Sequence, residues 1–311
     1  MIGTDDLRFF IAIAAAQSLA GAARDLSVSP PAVTQRLRGL EERLGVHLVN
    51  RAGRQLTLTD EGELLAERGR EVLASINELG DALADRRGQV VGHLRVIAPL
   101  GFGRRYVAPV AAAFQAEHPK VKIDVLLSDR IGRAPDNTWD LAIHVGETGD
   151  ATPHLIVSTL APNERIACAS PVYLARHGAP TEPRDLRQHT CITLRENDED
   201  VALWRFRSRK GGGEERVRIE PHLSSNDGGV VRGWALAARG VIVRSEWDVA
   251  DDLREGRLIR VLNSYDLPAA PVVALMGSRR QARAARTGRF LDALRATLDP
   301  APWRSKLLHD S

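Results

Sequence analysis

A chain of 311 residues, 43% hydrophobic and 27% charged, is too long for one ordinary core and too mixed in character for a disordered or membrane-embedded protein. No apolar run approaches the roughly 20 residues that cross a bilayer, and Asp5 and Asp6 stand where a leader would be basic, so a cytoplasmic protein is expected. Two cysteines, Cys168 and Cys191, exclude a disulfide framework, and a net charge of +3 admits an anionic partner without requiring one.

Residues 1–59 read as a small helical domain ending in a hairpin. Thr4 or Asp5 is the expected cap of a first helix, along which Leu7, Phe10, Ile11 and Ala14 recur at helical spacing, with Phe9 and Ile13 widening the stripe. Ser18 caps a second helix through Leu26, rich in small residues that let another helix approach. Ser29 caps a third, with Pro30 and Pro31 in the first turn, where their missing N–H groups cost nothing. Val33, Leu37, Leu40 and Leu44 form its buried stripe, and Gly45 ends it. Thr34, Gln35, Arg36 and Arg38 are long hydrogen-bonding side chains on the exposed side, as major-groove readout needs. Residues 46–58 form a hairpin whose turn carries Arg51 and Arg54, suited to the phosphate backbone. Between residues 34 and 54 five arginines stand against Glu41 and Glu42. A solvated charged face is the alternative, but it does not account for helix, turn, capped helix and basic wing in this order.

The stretch DLSVSPPAVTQRLRGLEERLGVHLVNRAGRQLTLTDEG, Asp25–Gly62, resembles the DNA-binding signature of LysR-type transcriptional regulators. Ala22-Ala23, Ser29, Pro31-Ala32, Leu40-Glu41, Leu44-Gly45, Leu48, Arg51, Leu58-Thr59 and Gly62 fall in step with it. The resemblance implies a winged helix-turn-helix, with Ser29, Pro30, Thr34, Gln35, Arg36 and Arg38 facing double-stranded DNA. Pro30 stands where many members have a polar residue.

Residues 60–90 read as a linker, helical to about residue 87. Asp60 with Glu63 fits a capping box. Leu65, Gly69, Val72, Ile76, Leu79 and Leu83 follow the alternating four and three spacing of a coiled-coil seam, with Gly69 expected to admit a partner helix. The seam could pack on its own domain; dimerisation is the expectation, and two recognition helices would then read an interrupted palindrome. In the resembling family this helix is the dimer contact, and the assembly is commonly a tetramer.

Residues 91–300 alternate strands and helices, which argues for a parallel-sheet α/β domain with ligands at strand ends and helix N-termini. The segments GHLRVIAPLGFGRRYVAPVAAAF, WDLAIHVG, CASPVYLARHG and DDLREGRLIRVL resemble the family's effector-binding domain, in a branch some of whose members control genes for small organic acids such as malate and tartrate. The resemblance implies a multidomain α/β protein whose effector domain has two subdomains of periplasmic-binding-protein type. Subdomain I spans about 91–161 and 268–300, subdomain II about 162–267, and the crossovers lie near Ala161-Pro162 and Leu267-Pro268. The expected lining residues are Pro99, Leu100, Gly101, Ser128 and His144 on one side. Across the cleft stand Thr193, Ser225 and Asn226, with Asp227 starting a helix. Ser225-Asn226 could instead simply cap that helix. His144 and Arg244-Ser245 depart from the residues common in the branch, so the effector is not carried over from relatives.

Gly101-Phe102-Gly103 lacks the third glycine of a dinucleotide fingerprint, and the nine histidines show no metal-ligand spacing, so no cofactor or metal is expected. Cys168 and Cys191 lie in apolar runs, as buried small residues rather than a redox pair. Arg279, Arg280, Arg283, Arg286 and Arg289 begin a basic helix, read as a solvated face. No nucleophile stands beside a base, so no enzyme is expected. The expected mechanism is a ligand-driven shift of the subdomains that changes oligomer geometry, DNA bending and contact with RNA polymerase. A cleft-type binding protein or enzyme that has lost DNA binding is the competing class.

Overall fold

The computed structural model describes residues 2–16, 18–26, 28–50, 56–85, 90–129, 139–147, 155–195, 202–211, 213–277 and 284–304. They fall in two compact units, Met1–Arg86 and Arg87–Ser311.

The first unit opens with α1 (Thr4–Ala15), α2 (Leu19–Asp25) and α3 (Pro30–Leu44). Ser18 Oγ accepts from the Gly21 N–H at 3.0 Å, and Ser29 Oγ from the Ala32 N–H at 3.4 Å, so both serines cap as their positions imply. Neither Thr4 nor Asp5 caps α1. Gly3 stands at the cap, and Asp6 reaches back to accept from its N–H at 3.3 Å. Phe9, Phe10, Ile13, Ala22, Ala23, Val33, Leu37 and Leu40 share one core.

Strands β1 (Val49–Asn50) and β2 (Thr57–Leu58) pair antiparallel. Then α4 (Asp60–Asp85) begins. Its cap is Thr59, which displaces the expected Asp60–Glu63 box by one residue. The Thr59 hydroxyl accepts from the Gly62 N–H at 3.0 Å and donates to the His47 carbonyl at 2.7 Å, serving helix and hairpin together. Gly62 lies against the Leu48 carbonyl, where a Cβ would collide with backbone. Glu41 is 5% exposed and accepts from the Leu48 N–H at 2.9 Å.

Gly69 meets Leu7 and Ile11 of α1, so it admits a helix of its own chain and not a partner's. Beyond it Val72, Ile76, Leu79 and Leu83 are all exposed.

The second unit holds two five-stranded sheets. The first lobe starts with β3 (Gly92–Ala98), then a continuous helical run of α5 (Leu100–Phe102), a π-turn (Gly103–Val107) and α6 (Ala108–Glu117). Then come β4 (Val121–Leu127), β5 (Leu141–Val145) and β6 (Ile156–Ala161). The second lobe contains β7 (Arg165–Ala169), α7 (Pro171–His177), β8 (Cys191–Leu194), β9 (Leu203–Ser208), β10 (Glu214–Arg218), β11 (Leu223–Ser225), α8 (Gly228–Leu236), β12 (Val241–Ser245), α9 (Glu246–Arg254), β13 (Ile259–Arg260) and β14 (Tyr265–Asp266). The chain then returns to the first lobe as β15 (Val272–Met276) and α10 (Ala285–Leu298).

The sheet orders are β4-β3-β5-β15-β6 and β11-β8-β12-β7-β13, with β10-β9-β14 a small third sheet. The large sheets are mixed, not parallel as expected. In each, four strands run in one direction, while the strand arriving from the other lobe runs against its neighbours: β15 between β5 and β6, and β7 between β12 and β13. The period-two alternation of strands buries both faces. Val96, Leu141 and Ala274 face Phe114, Phe290 and Leu294, while Ile97, Ala142 and Val273 face Trp139. In the second lobe Cys191 faces Trp204 and Phe206, and Cys168 the opposite core with Val231 and Ile242.

The two crossings are pinned together. Asn163, 5% exposed, donates to the Ala270 carbonyl at 2.7 Å and accepts from the Trp247 N–H at 3.2 Å. Trp247 stacks edge-on to Phe102 at 5.3 Å, and Trp303 packs edge-on to Tyr106 at 5.4 Å. Arg304 closes this end, donating to Glu246 at 2.7 Å and to Glu164 at 3.3 Å.

Candidate functional site

The polar residues of α3 do not all project alike. At about 100° per residue, Gln35 and Arg38 project opposite the Val33–Leu37–Leu40 stripe, and Thr34 and Arg36 flank it. Gln35, Arg36, Arg38, Ser29 and Pro30 are exposed. Thr34 is half-buried and donates its hydroxyl to the Pro30 carbonyl at 3.0 Å. Arg36 turns toward α1: it donates to the Asp5 carbonyl at 3.0 Å and lies over the Phe9 ring at 4.4 Å. A flanking arginine long enough to reach the neighbouring helix is thus spent partly on holding α1 to α3. At the other end of α3, Arg43 pairs with Asp6 at 2.9 Å. Burial works to raise the Asp6 pKa, but the Gly3 N–H and Arg43 outweigh it and hold it below the usual carboxylate range. The hairpin base is in place beside α3, and the arginines of its turn, Arg51 and Arg54, lie outside the described residues.

In the second unit, β3, β4 and β5 are parallel, so their carboxyl ends share one edge; so do those of β8, β11 and β12. Pro99, Leu100 and Gly101 begin the helical run on the first edge, and Ser128 joins it through its N–H to the Ala98 carbonyl at 3.0 Å. Gly101 cannot carry a side chain freely, since a Cβ would press on Trp247 at 3.0 Å. His144 stands near the end of β5. Its Nε2 and the Arg165 guanidinium flank Gly146, at 3.2 and 3.7 Å from where a Cβ would be.

On the opposite edge, Ser225 Oγ accepts from the Asp227 N–H at 3.1 Å and Asn226 is exposed. The cap of α8 is Asp227, whose Oδ1 accepts from the Gly229 N–H at 2.7 Å; neither Ser225 nor Asn226 caps it. Thr193 is 2% exposed, and its hydroxyl has no hydrogen-bond partner among the described residues.

The edges meet through residues that composition does not single out. Arg104, in the π-turn, reaches Asp227 at 2.8 Å, and Asn226 donates to Asp129 at 2.9 Å. Arg105 reaches Asp251 at 2.5 Å and the Trp247 carbonyl at 3.2 Å. The helical run starts at Leu100, and this brings both arginines into its opening turns. Burial pushes the Asp227 carboxyl up, but Arg104 and the Gly229 N–H more than offset it, and its pKa is lowered. The Arg105 hydrogen bond lowers that of Asp251 against opposing burial.

Beneath α8 lies a buried charge cluster. Arg244 donates to Asp248 at 2.8 Å, both side chains 7% exposed or less, and Arg232 bridges Asp248 and Asp252 at 3.5 and 2.7 Å. Gly228 is the residue that leaves room for the Arg244 guanidinium. Arg286 departs from its expected solvated face: it is 7% exposed and donates to the His93 carbonyl at 2.9 Å, while Arg279, Arg280 and Arg283 lie outside the described residues. Burial pushes the thiols of Cys168 and Cys191 up to about 12. Among the described residues no helix is long and apolar enough to cross a membrane, and no three metal-ligating side chains gather.

Comparison with known proteins places both units. The family model described as the bacterial regulatory helix-turn-helix protein, lysR family, matches residues 4–63, and that of the LysR substrate binding domain matches residues 87–299. The HTH-type transcriptional regulator DmlR of Escherichia coli K12 is 37% identical over 265 residues, 85% of each chain. PtxR of Pseudomonas aeruginosa, another HTH-type transcriptional regulator, is 30% identical over 310 residues, 97% of this chain and 95% of its own. The structure of CrgA, a LysR-type transcriptional regulator from Neisseria meningitidis, superposes with a TM-score of 0.59 at 28% identity, covering 96% of this chain and 99% of that one. With its helix-turn-helix unit and its two-lobed α/β unit both matched, the chain belongs to the LysR family of bacterial regulatory proteins.

Proposed function

We infer that this chain is a sequence-specific DNA-binding transcription regulator, working without catalysis of its own, whose activity a small organic anion modulates. One observation carries the DNA-binding part: a serine-capped α3 presents Gln35 and Arg38 away from its core, beside a hairpin anchored at Leu48. Gln35 and Arg38 read base edges in the major groove, with Ser29, Pro30 and Thr34 at the helix start, and Arg51 and Arg54 fix register on phosphates. Arg36 contributes chiefly by setting the angle between α1 and α3.

The exposed row Val72, Ile76, Leu79 and Leu83 supports a homodimer through α4, whose two α3 helices address the halves of an interrupted palindrome. Tetramer formation and contact with RNA polymerase complete the reading. The effector sits between the lobes of residues 91–300, lined by Pro99, Leu100, Gly101, Ser128 and His144 on one edge and Thr193, Ser225 and Asn226 on the other. The cationic groups there, Arg104, Arg165 and the start of α8, favour an anion. It acts by binding one arrangement of the lobes better than another.

The test is a mobility-shift titration against the DNA upstream of the protein's own gene, with unrelated DNA as competitor. Specific retention that Arg38→Ala weakens is expected. Equal affinity for both DNAs at physiological salt, with organic acids present and absent, would leave the cleft as the whole function.

A further inference from the structure

The two lobes of the second unit are joined differently at their two ends. At the crossings the contacts are buried and largely apolar: Asn163 ties both connecting segments, and Trp247 and Trp303 pack with Phe102 and Tyr106. At the facing strand edges they are polar and partly exposed. There two adjacent residues of the second lobe, Asn226 and Asp227, hold two separate elements of the first, Asp129 after β4 and Arg104 in the π-turn. The Arg104 side chain is 56% exposed and that of Asp227 23%.

Asp227 divides its carboxylate between two tasks. Oδ1 accepts from the Gly229 N–H at 2.7 Å, and Oδ2 accepts from Arg104 at 2.8 Å. A carboxylate thus already lies between a guanidinium and the first turn of a nine-residue helix, the surroundings that bind a free organic anion. Losing Arg104 leaves the cap intact, so the cross-lobe contact can break without unwinding α8. Exposed ion pairs of this kind are weak enough to be exchanged.

We propose that the pairs Arg104–Asp227 and Asn226–Asp129 form a releasable latch between the lobes, in which the Asp227 carboxylate occupies the place of a ligand carboxylate and holds Arg104 until one arrives. This rests on the reading of the cleft as an effector site and identifies the ligand class as a carboxylate. The ligand would exchange with Asp227 for Arg104 and so change the contacts that set the lobe angle.

The test uses the full chain with spin labels on Lys122→Cys, on the first lobe, and Arg205→Cys, on the second. Both positions are exposed, whereas Cys168 and Cys191 are buried. Dilution with unlabelled chain restricts the distances to one molecule. Asp227→Asn keeps a capping side chain, and it should raise the population of the longer distance roughly two- to fivefold, the range an exposed ion pair supports. Arg104→Gln should do the same, and the double variant should go no further than either. An unchanged distribution in Asp227→Asn, or additive effects, overturns the latch. Asp227→Gly, which costs little at a cap, makes room for a free carboxylate. Sodium acetate should then restore the shorter distance where sodium chloride at equal ionic strength does not, and Arg104→Gln should abolish that rescue. Acetate acting no better than chloride overturns the stand-in role. No DNA or effector is present, so failure here leaves the regulator reading standing, and failure of DNA retention leaves the latch standing.

Discussion

The guanidinium of Arg36 lies over the ring of Phe9, 4.4 Å from its centroid, while donating to the carbonyl of Asp5. One arginine of the recognition helix is therefore a brace for the helix before it. Arg36→Ala should lower the stability of the first unit by about 1 kcal/mol, the worth of an exposed cation–π contact, and weaken DNA binding partly through that loss. Arg38→Ala should leave the thermal midpoint nearly unchanged, weaken binding, and shift base preference at one position if it reads a base edge or reduce the salt dependence by about one ion if it holds a phosphate. Thermal unfolding beside a salt series of binding isotherms separates the two arginines.

Gly62 has backbone where its side chain would be. Gly62→Ala should force the Leu48 carbonyl away from α4 and cost about 2 kcal/mol or more. Gly39→Ala is the control: the new methyl meets only the end of the Arg43 side chain, at 3.9 Å, and alanine favours a helix, so it should be neutral or stabilising. Urea titrations of both variants check this; equal stability would mean that the hairpin base yields easily.

Leu79 is 64% exposed on α4, midway along an apolar row. Leu79→Asp should convert a dimer to a monomer at micromolar concentration while leaving the helical signal of the monomer unit largely intact. Light scattering coupled to size exclusion reads the mass directly, and an unchanged mass removes α4 as the dimer contact.

Arg244 is costly to lose because the carboxylate it holds is buried. Arg244→Ala removes the 2.8 Å partner of the buried Asp248, leaving it with Arg232 at 3.5 Å, and should destabilise by about 3 kcal/mol. Arg244→Lys should recover only part of this, because an ammonium lacks the guanidinium fork. Loss under about 1 kcal/mol would mean that water enters beneath α8 to solvate the carboxylate.

The two thiols contribute a pH dependence on the alkaline side. Their folded pKa is pushed up to about 12, above the unfolded thiol value of about 8.5. Only the unfolded chain therefore ionises them readily, so their contribution is complete below about pH 8.5 and is lost as pH rises toward about 12. Stability should fall faster with pH in the native chain than in Cys168→Ala/Cys191→Ala. At pH 8 neither thiol should react with a thiol reagent until urea is added.

What the sequence made legible was whatever depends on local spacing. The stripes of α1 and α3 and the Ser18 and Ser29 caps follow from periodicity and from side chains acting within four residues. Strand direction was not legible, because β15 and β7 are set against their neighbours by crossings more than a hundred residues apart. The Thr59 cap was missed because Asp60 and Glu63 also fit a capping pattern; only the His47 carbonyl, twelve residues away, decides between them. The bracing contact of Arg36 with Phe9 and Asp5 left no local mark, since its partners lie on another helix. Arg104 and Asp129 were missed for a related reason: their partners lie 123 and 97 residues away, and the π-turn that aims Arg104 leaves no mark on the hydrophobic pattern.

The joint at Leu48 gives the first unit a mechanical character. Glu41 of α3 holds the Leu48 N–H, Gly62 of α4 rests on its carbonyl, and Thr59 fastens the neighbouring His47 carbonyl. The end of the recognition helix, the hairpin root and the base of a 26-residue helix are therefore one rigid elbow. Such a helix is a lever about 39 Å long. Tilting it by about 5° about the elbow moves its far end by about 3 Å. Conversely, wherever two such levers are joined at their tips, their crossing angle sets the span between the elbows, as the hinge of a pair of callipers sets the gap between its jaws.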